Sequence, residues 1–397
     1  MSERTSNNSI KHFIPELEGL RGVLAIWVLI SHLMWGSGFT PDEVKGLWIV
    51  PFSGGVPVSI FIILSGFVIF LLLDSKQTTY FEYIVRRLFR LYPVFLFTSL
   101  IGLYLFWEGY GILGGNYTGP NVFVRGGEYY EQKWLIALLQ LSMLHGFLPD
   151  LGPIVVNPPS WSVSLEWQFY LIAPMLFFFF KKNWLAFAFI ISFIGVLKSC
   201  FHPSPMLNMH GATILDASGS FLIGILSYKI YKCAVDNKYR INSIFVKTLK
   251  GVFIVYFFSS LLFFCLEAIR NENVKTLPWV FSLGIWGLVL LTIISNFLNE
   301  VDCKKSFLSS LLCNKLILKI GELSYSIYLT HQLIIFIFLI SFGPYIDNLG
   351  KWRSFFIEFV FLVPATILVS YLTNRYIEKP GIKLGKIIIA NFPHFKK

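Results

Sequence analysis

Apolar runs long enough to cross a bilayer recur along the whole chain, separated by short polar stretches. They are Leu20–Gly36, Gly54–Leu73, Leu88–Trp107, Trp161–Phe180, Trp184–Cys200, Ala212–Tyr231, Gly251–Glu267, Pro278–Leu298, Leu318–Ser341 and Phe355–Tyr376. About 20 apolar residues rising 1.5 Å each cover a hydrocarbon core of about 30 Å, so each run predicts a transmembrane helix. An eleventh run, Trp134–Leu148, is short and broken by Gln140, His145 and Gly146. No internal repeat of 20–50 residues accompanies these runs.

The basic residues decide how the runs are threaded. With Arg4 and Lys11 in the cytoplasm, Lys76, Arg86, Arg87 and Arg90 fall inside as well. If Trp134–Leu148 does not cross, the later clusters at Lys181/Lys182, Lys229–Lys250, Lys304–Lys319 and Lys379–Lys397 also fall inside. If it crosses, all four flip outward against the positive-inside rule. The expectation is an all-α, polytopic bundle of about ten spans with one short re-entrant or interfacial segment and both termini cytoplasmic. The expected organisation is a tail over 1–12, a membrane domain over 13–380 and a basic tail over 381–397.

Composition agrees. Of 397 residues, 55% are hydrophobic and only 14% charged, against about 25% charged in a typical soluble domain. A soluble enzyme and a disordered chain are both excluded. The formal net charge of +11 lies in short clusters between apolar runs. It reads as topology rather than as a nucleic-acid surface. No secretory signal peptide is visible.

Ionisable groups within such runs need a reason. Arg21 and His32 are eleven residues apart on the first run, which leaves about 20° of rotation and about 16 Å of rise, so they share one helix face. Arg86, Arg87 and Arg90 open the third run as a guanidinium cluster suited to phosphates. Ser162, Glu166 and Tyr170 form a polar stripe at i, i+4 and i+8. Glu166 is expected about 7 Å below Trp161, itself read as an outer-interface marker. With its Ser, Trp, Gln and Tyr neighbours it suggests a sugar-type site. Ser324, Tyr328 and His331 share another face; Asp216 and Glu358 are weaker candidates. The GxGxxG of Gly109–Gly114 lacks a strand–turn–helix context. His145–Asp150 has an HxxxxD spacing that seven histidines make an easy coincidence. No HExxH or Cys/His cluster points to a metal.

Taken together, four stretches resemble the acyltransferase-3 family of integral membrane acyltransferases. They are Glu18-Gly-Leu-Arg21 through His32, Ile63-Leu-Ser-Gly-Phe67, Arg86 through Pro93, and Trp161-Ser-Val-Ser-Leu-Glu166 through Tyr170. Gly321–His331 and Glu378-Lys-Pro380 fit too, so the resemblance runs from about Phe13 to Pro380. It implies transfer of an acyl group, usually acetyl, from cytoplasmic acyl-CoA to surface or secreted glycans. By resemblance Arg21 and His32 are the family's Arg-x10-His pair, Arg86, Arg87 and Arg90 its basic position, and Glu166 its carboxylate. Glu18 stands where Asp is commoner, and Trp167 where some members carry a second Glu.

The expectation is therefore an O-acyltransferase of a bacterial inner membrane, with acetyl-CoA as donor and no metal. His32 and Glu166 are the expected catalytic residues, and Arg21, Arg86, Arg87 and Arg90 are expected to hold the donor. Trp161, Ser162, Tyr170, Ser324, Tyr328 and His331 are expected to hold substrate. The acceptor is a surface or lipid-linked polysaccharide, with peptidoglycan and small secreted compounds open. A transporter or flippase using the same polar residues is the alternative.

Overall fold

The computed structural model describes residues 13–40, 43–75, 78–113, 133–147, 156–201, 212–237, 243–270, 277–298 and 306–392. The tail over 1–12, most of the Glu108–Lys133 connection, the end of the His145–Asp150 stretch and residues 393–397 lie outside these. Fourteen helices run α1 (Pro15–Gly36), α2 (Ile49–Phe52), α3 (Gly55–Ser75), α4 (Tyr80–Leu113), α5 (Lys133–Leu141), α6 (Ser160–Lys182) and α7 (Trp184–Phe201). They continue as α8 (Ser218–Asp236), α9 (Ser243–Arg270), α10 (Leu277–Leu298), α11 (Phe307–Leu312), α12 (Lys315–Ile346), α13 (Lys351–Thr373) and α14 (Lys379–Asn391). Among the described residues no strand occurs.

Seven helical stretches among the described residues are long and apolar enough to span: those of α1, α3, α4, α6, α10 and α12, and a continuous one covering α13 and α14. Two shorter apolar helices, at Trp184–Val196 and Thr248–Phe263, and the more polar α8 lie between them in the chain. Counting α13 alone from the last stretch, the ten long helices alternate in direction, as the charge pattern predicts. One end of the bundle gathers the basic residues: α1, α4 and α12 begin there, and α3, α6 and α8 end there. Asp74 at the end of α3 ties Lys181 of α6 at 3.3 Å and also Lys232 of α8. This is called the basic end below.

The doubtful eleventh run is a nine-residue helix, α5, about 13 Å long and too short to span. It dips beside α4. Its Gln140 donates to Ser99 at 3.0 Å and to Ser160 at 3.1 Å, and Tyr92 donates to the Leu141 carbonyl at 3.1 Å. A buried amide at this depth needs such partners.

Tight packing comes from glycines at helix crossings, where backbones approach closely. A Cβ on Gly66 would lie 2.6 Å from the Phe221 carbonyl oxygen, and one on Gly224 would overlap that of Ile63, so α3 and α8 are locked together. The most extensive pair is α1 with α12. Past α13, a π-turn over Asn374–Glu378 leads into α14. Pro380 cannot donate to the Tyr376 carbonyl, which favours the wider turn. Gly381 and Gly385 then let α14 lie against Phe89 and Pro93 of α4.

Candidate active site

Two parallel helices carry the centre of the site. At the basic end Gly22 of α1 meets Gly321 of α12: a Cβ on Gly22 would lie 2.7 Å from the Gly321 nitrogen. Ten residues further along both helices, His32 meets His331, with 3.1 Å between His32 Nδ1 and His331 Nε2. His331 falls at the midpoint of the thirty-two-residue α12.

The surrounding carbonyls assign the protons. His32 Nδ1 lies 3.0 Å from the Val28 oxygen, and His331 Nδ1 lies 3.0 Å from the Ile327 oxygen. A ring nitrogen facing a carbonyl oxygen must carry the hydrogen, so both rings are assigned as Nδ1–H tautomers. His331 Nε2 is then the acceptor between the rings, and His32 Nε2 carries a lone pair. His331 is fully buried, whereas His32 keeps partial exposure. Glu358 of α13 is buried one turn beyond, where a Cβ on Gly36 would lie 3.2 Å from its Oε2.

Toward the basic end a cavity opens between α1, α3, α4, α6 and α12. It holds about 810 Å³ of empty space, mouth included, and Arg21, Arg87, Arg90, Ser65, Ser162, Glu166, Tyr170, Ser324 and Tyr328 are among its lining residues. Arg21 and Arg90 each keep 28% of their side-chain surface exposed, which places the mouth at the basic end. Tyr328 closes the far end, with its ring centroid 6.1 Å from that of His331.

The arginines differ. Arg86 is turned outward and donates to Glu82 at 2.5 Å, and it lies outside the lining, because adjacent residues on a helix point about 100° apart. Arg87 points inward, its guanidinium 5.8 Å from the Tyr170 ring centre and its buried Nε without a hydrogen-bond partner. Arg90 pairs with the fully buried Glu378, which also accepts from Ser326 at 2.8 Å and Asn374 at 3.0 Å. Arg21 lies 3.7 Å from Glu18.

Glu166 lies on the arginine side of the histidines. Tyr170 donates to its Oε1, and Ser65 does so at 3.3 Å. Ser162 bonds Tyr328 at 2.8 Å, so Trp161 beside it stands near mid-bundle rather than at an interface. From that level Glu166 lies about 6 Å toward the basic end, and His331 about 4.5 Å the other way. Trp161 is half-buried and lies outside the cavity lining.

The structure thus gathers Arg21, Arg87, Arg90, Ser162, Glu166, Tyr170, Ser324 and Tyr328 in one cavity, with His32 and His331 just beyond it. Sequence reasoning missed Ser65, the serine of the Ile63-Leu-Ser-Gly-Phe67 motif that donates to Glu166, and Glu378 as the partner of Arg90. Their motifs were visible; their contacts lie 101 and 288 residues away in the chain. Among the described residues no group of three or more His, Cys, Asp or Glu is placed to hold a metal.

Comparison with known proteins covers the same stretch of chain. A family model described as an acyltransferase domain matches residues 14–375. Peptidoglycan O-acetyltransferase OatA of Listeria monocytogenes is 26% identical over 99% of this chain and 59% of its own length. O-acetyltransferase OatA of Staphylococcus aureus is 25% identical over 97% of this chain and 60% of its own. Acyltransferase MdmB of Streptomyces mycarofaciens is 29% identical over 43% of this chain and 40% of its own. The chain therefore spans between two-fifths and three-fifths of the length of these relatives. No solved structure matches it. With the family model covering nearly the whole bundle and its polar centre, the chain belongs to the acyltransferase-3 family.

Proposed function

We propose that the protein transfers an acyl group, acetyl by preference, from acyl-CoA to a hydroxyl of a surface or lipid-linked polysaccharide. The observation that carries this reading is the arginine-lined cavity ending one helical turn short of a histidine with a free Nε2. The basic end is the cytoplasmic face by the positive-inside rule. The donor's phosphates meet Arg87, Arg21 and Arg90, where Arg87 offers an unused buried donor and charge-assisted bonds are strong. Its pantetheine arm extends along the cavity for about the 16 Å that separate Arg21 from His32.

His32 Nε2 is the general base: it takes the acceptor hydroxyl proton as the oxygen attacks the thioester carbonyl. The proton then goes to the departing thiolate, so the step balances. Glu166, held by Tyr170 and Ser65 on the donor side, orients the arm rather than the acceptor. Ser162 and Tyr328 are the candidate hydroxyl donors to the developing oxyanion. Two relatives are O-acetyltransferases by name, one of peptidoglycan, which supports a glycan acceptor.

The test uses purified protein in vesicles, supplied with labelled acetyl-CoA on the face carrying the basic end and with glycan on the other. Covalently labelled glycan is the expected product, and it is lost in His32→Ala. Redistribution of unmodified solute without covalent label would instead mark a transporter.

A further inference from the structure

We infer that His331 is the positioning partner of His32: an uncharged hydrogen-bond acceptor behind the catalytic ring that fixes its orientation and stabilises its Nδ1–H as charge develops. This deepens the reading of His32 as general base and rests on it.

The usual partner behind a catalytic histidine is a carboxylate, which stabilises the imidazolium by its charge. Here the atom at that position is a neutral ring nitrogen. His331 is fully buried, and its Nδ1 hydrogen is committed to the Ile327 carbonyl at 3.0 Å. Its Nε2 therefore has only a lone pair to offer, and that lone pair faces His32 Nδ1 at 3.1 Å. The ring centroids stand 5.0 Å apart and the planes are inclined by 46°, which suits an in-plane N–H···N bond better than stacking. Neither ring can rotate without forfeiting a hydrogen bond in a buried site. Thr330, the neighbour of His331 in sequence, anchors the same turn of α12 through Ser326 at 2.8 Å and Ser370 of α13 at 3.0 Å.

The proton path balances without any further reagent. As the acceptor oxygen bonds to the acyl carbon, its proton moves to His32 Nε2. The Nδ1 hydrogen of His32, shared between the Val28 oxygen and His331 Nε2, stays on His32, and the hydrogen bond to the His331 lone pair strengthens as His32 becomes charged. When the carbon–sulfur bond breaks, His32 Nε2 gives its proton to the departing thiolate, which leaves as a thiol, and His32 returns to its neutral Nδ1–H form. A neutral partner costs the empty enzyme less to bury than a carboxylate would, since an isolated charge in that position is expensive.

Two measurements test this. In protein carrying 15N-labelled histidine, the unliganded bilayer form should show a coupling across the hydrogen bond between His32 Nδ1 and His331 Nε2, with His32 Nε2 unprotonated. Absence of that coupling, or a proton on His32 Nε2, overturns the inference whatever the activity. Second, His331→Gln and His331→Ala should lower kcat about a hundred-fold or more, with the KM for acetyl-CoA within two-fold of wild type. Added imidazole should restore part of the loss in His331→Ala. Wild-type kcat in the well-inserted variants would overturn the inference while leaving His32 as base. Wild-type kcat in His32→Ala would overturn the underlying reading instead.

Discussion

The two levels of the α1–α12 seam solve different problems with different side chains. At the basic end Arg21 and Arg90 are matched by the carboxylates of Glu18 and Glu378, and Arg87 is left with an unused donor. Halfway along, the two histidines face each other and two backbone carbonyls. The first level is a charge-compensated receptacle with capacity for one more anion. The second handles protons. Binding and chemistry are thus separated by about 16 Å along one pair of helices, and mutations at the two levels should separate in kinetics.

The largest effect is expected at the histidine level. His32→Ala should cut transfer by about 10²–10⁴-fold with donor binding intact, read as labelled glycan per inserted protein and by acetyl-CoA titration. Next comes Glu378→Ala, which leaves Arg90 without its buried partner. Breaking such a pair costs about 3–5 kcal/mol, so thermal unfolding in detergent should fall markedly, and Arg90→Ala in the same chain should recover part of it. Arg87→Ala should raise the KM for acetyl-CoA about ten- to a hundred-fold, in line with about 1.5–3 kcal/mol for a hydrogen bond to a charged group. Its neighbour Arg86→Ala should leave KM within two-fold. Equal effects at Arg86 and Arg87 would erase the distinction between the receptacle and the surface.

The smallest effect is expected at the far end. Glu43 accepts from Lys351 at 2.5 Å, and that hydrogen bond holds its carboxyl below the usual carboxylate range. Its contribution is present above the unfolded carboxyl's ordinary value near 4 and is lost as pH falls through the lower folded value. Both side chains are exposed, so water screens the pair. Glu43→Gln should leave acyl transfer and the melting temperature unchanged at neutral pH.

The sequence carried the all-helical polytopic bundle, the long apolar helices and the shared face of Arg21 and His32, because hydropathy and the 3.6-residue period are local. It also grouped Arg86 with Arg87 and Arg90, where the structure turns Arg86 away to Glu82. The level of Glu166 was not legible. It was measured from Trp161 as though that ring marked an interface, whereas α6 enters beside the re-entrant α5 with Ser162 already at the level of Tyr328. The pairing of His331 with His32 spans 299 residues and has no local trace. Glu378 stood in a motif, but its aim depends on the π-turn that ends α13.

The seam also constrains how this chain can change its length. Gly22 and His32 on one helix, and Gly321 and His331 on the other, are the same ten residues apart, so the two helices act as matched rulers. One residue inserted between those marks on either helix would turn its histidine by about 100° and raise it about 1.5 Å. The glycine contact would survive while the ring pair was lost. An insertion at the same level in both helices keeps the rulers equal and the rings opposed, so length here is inherited by the pair.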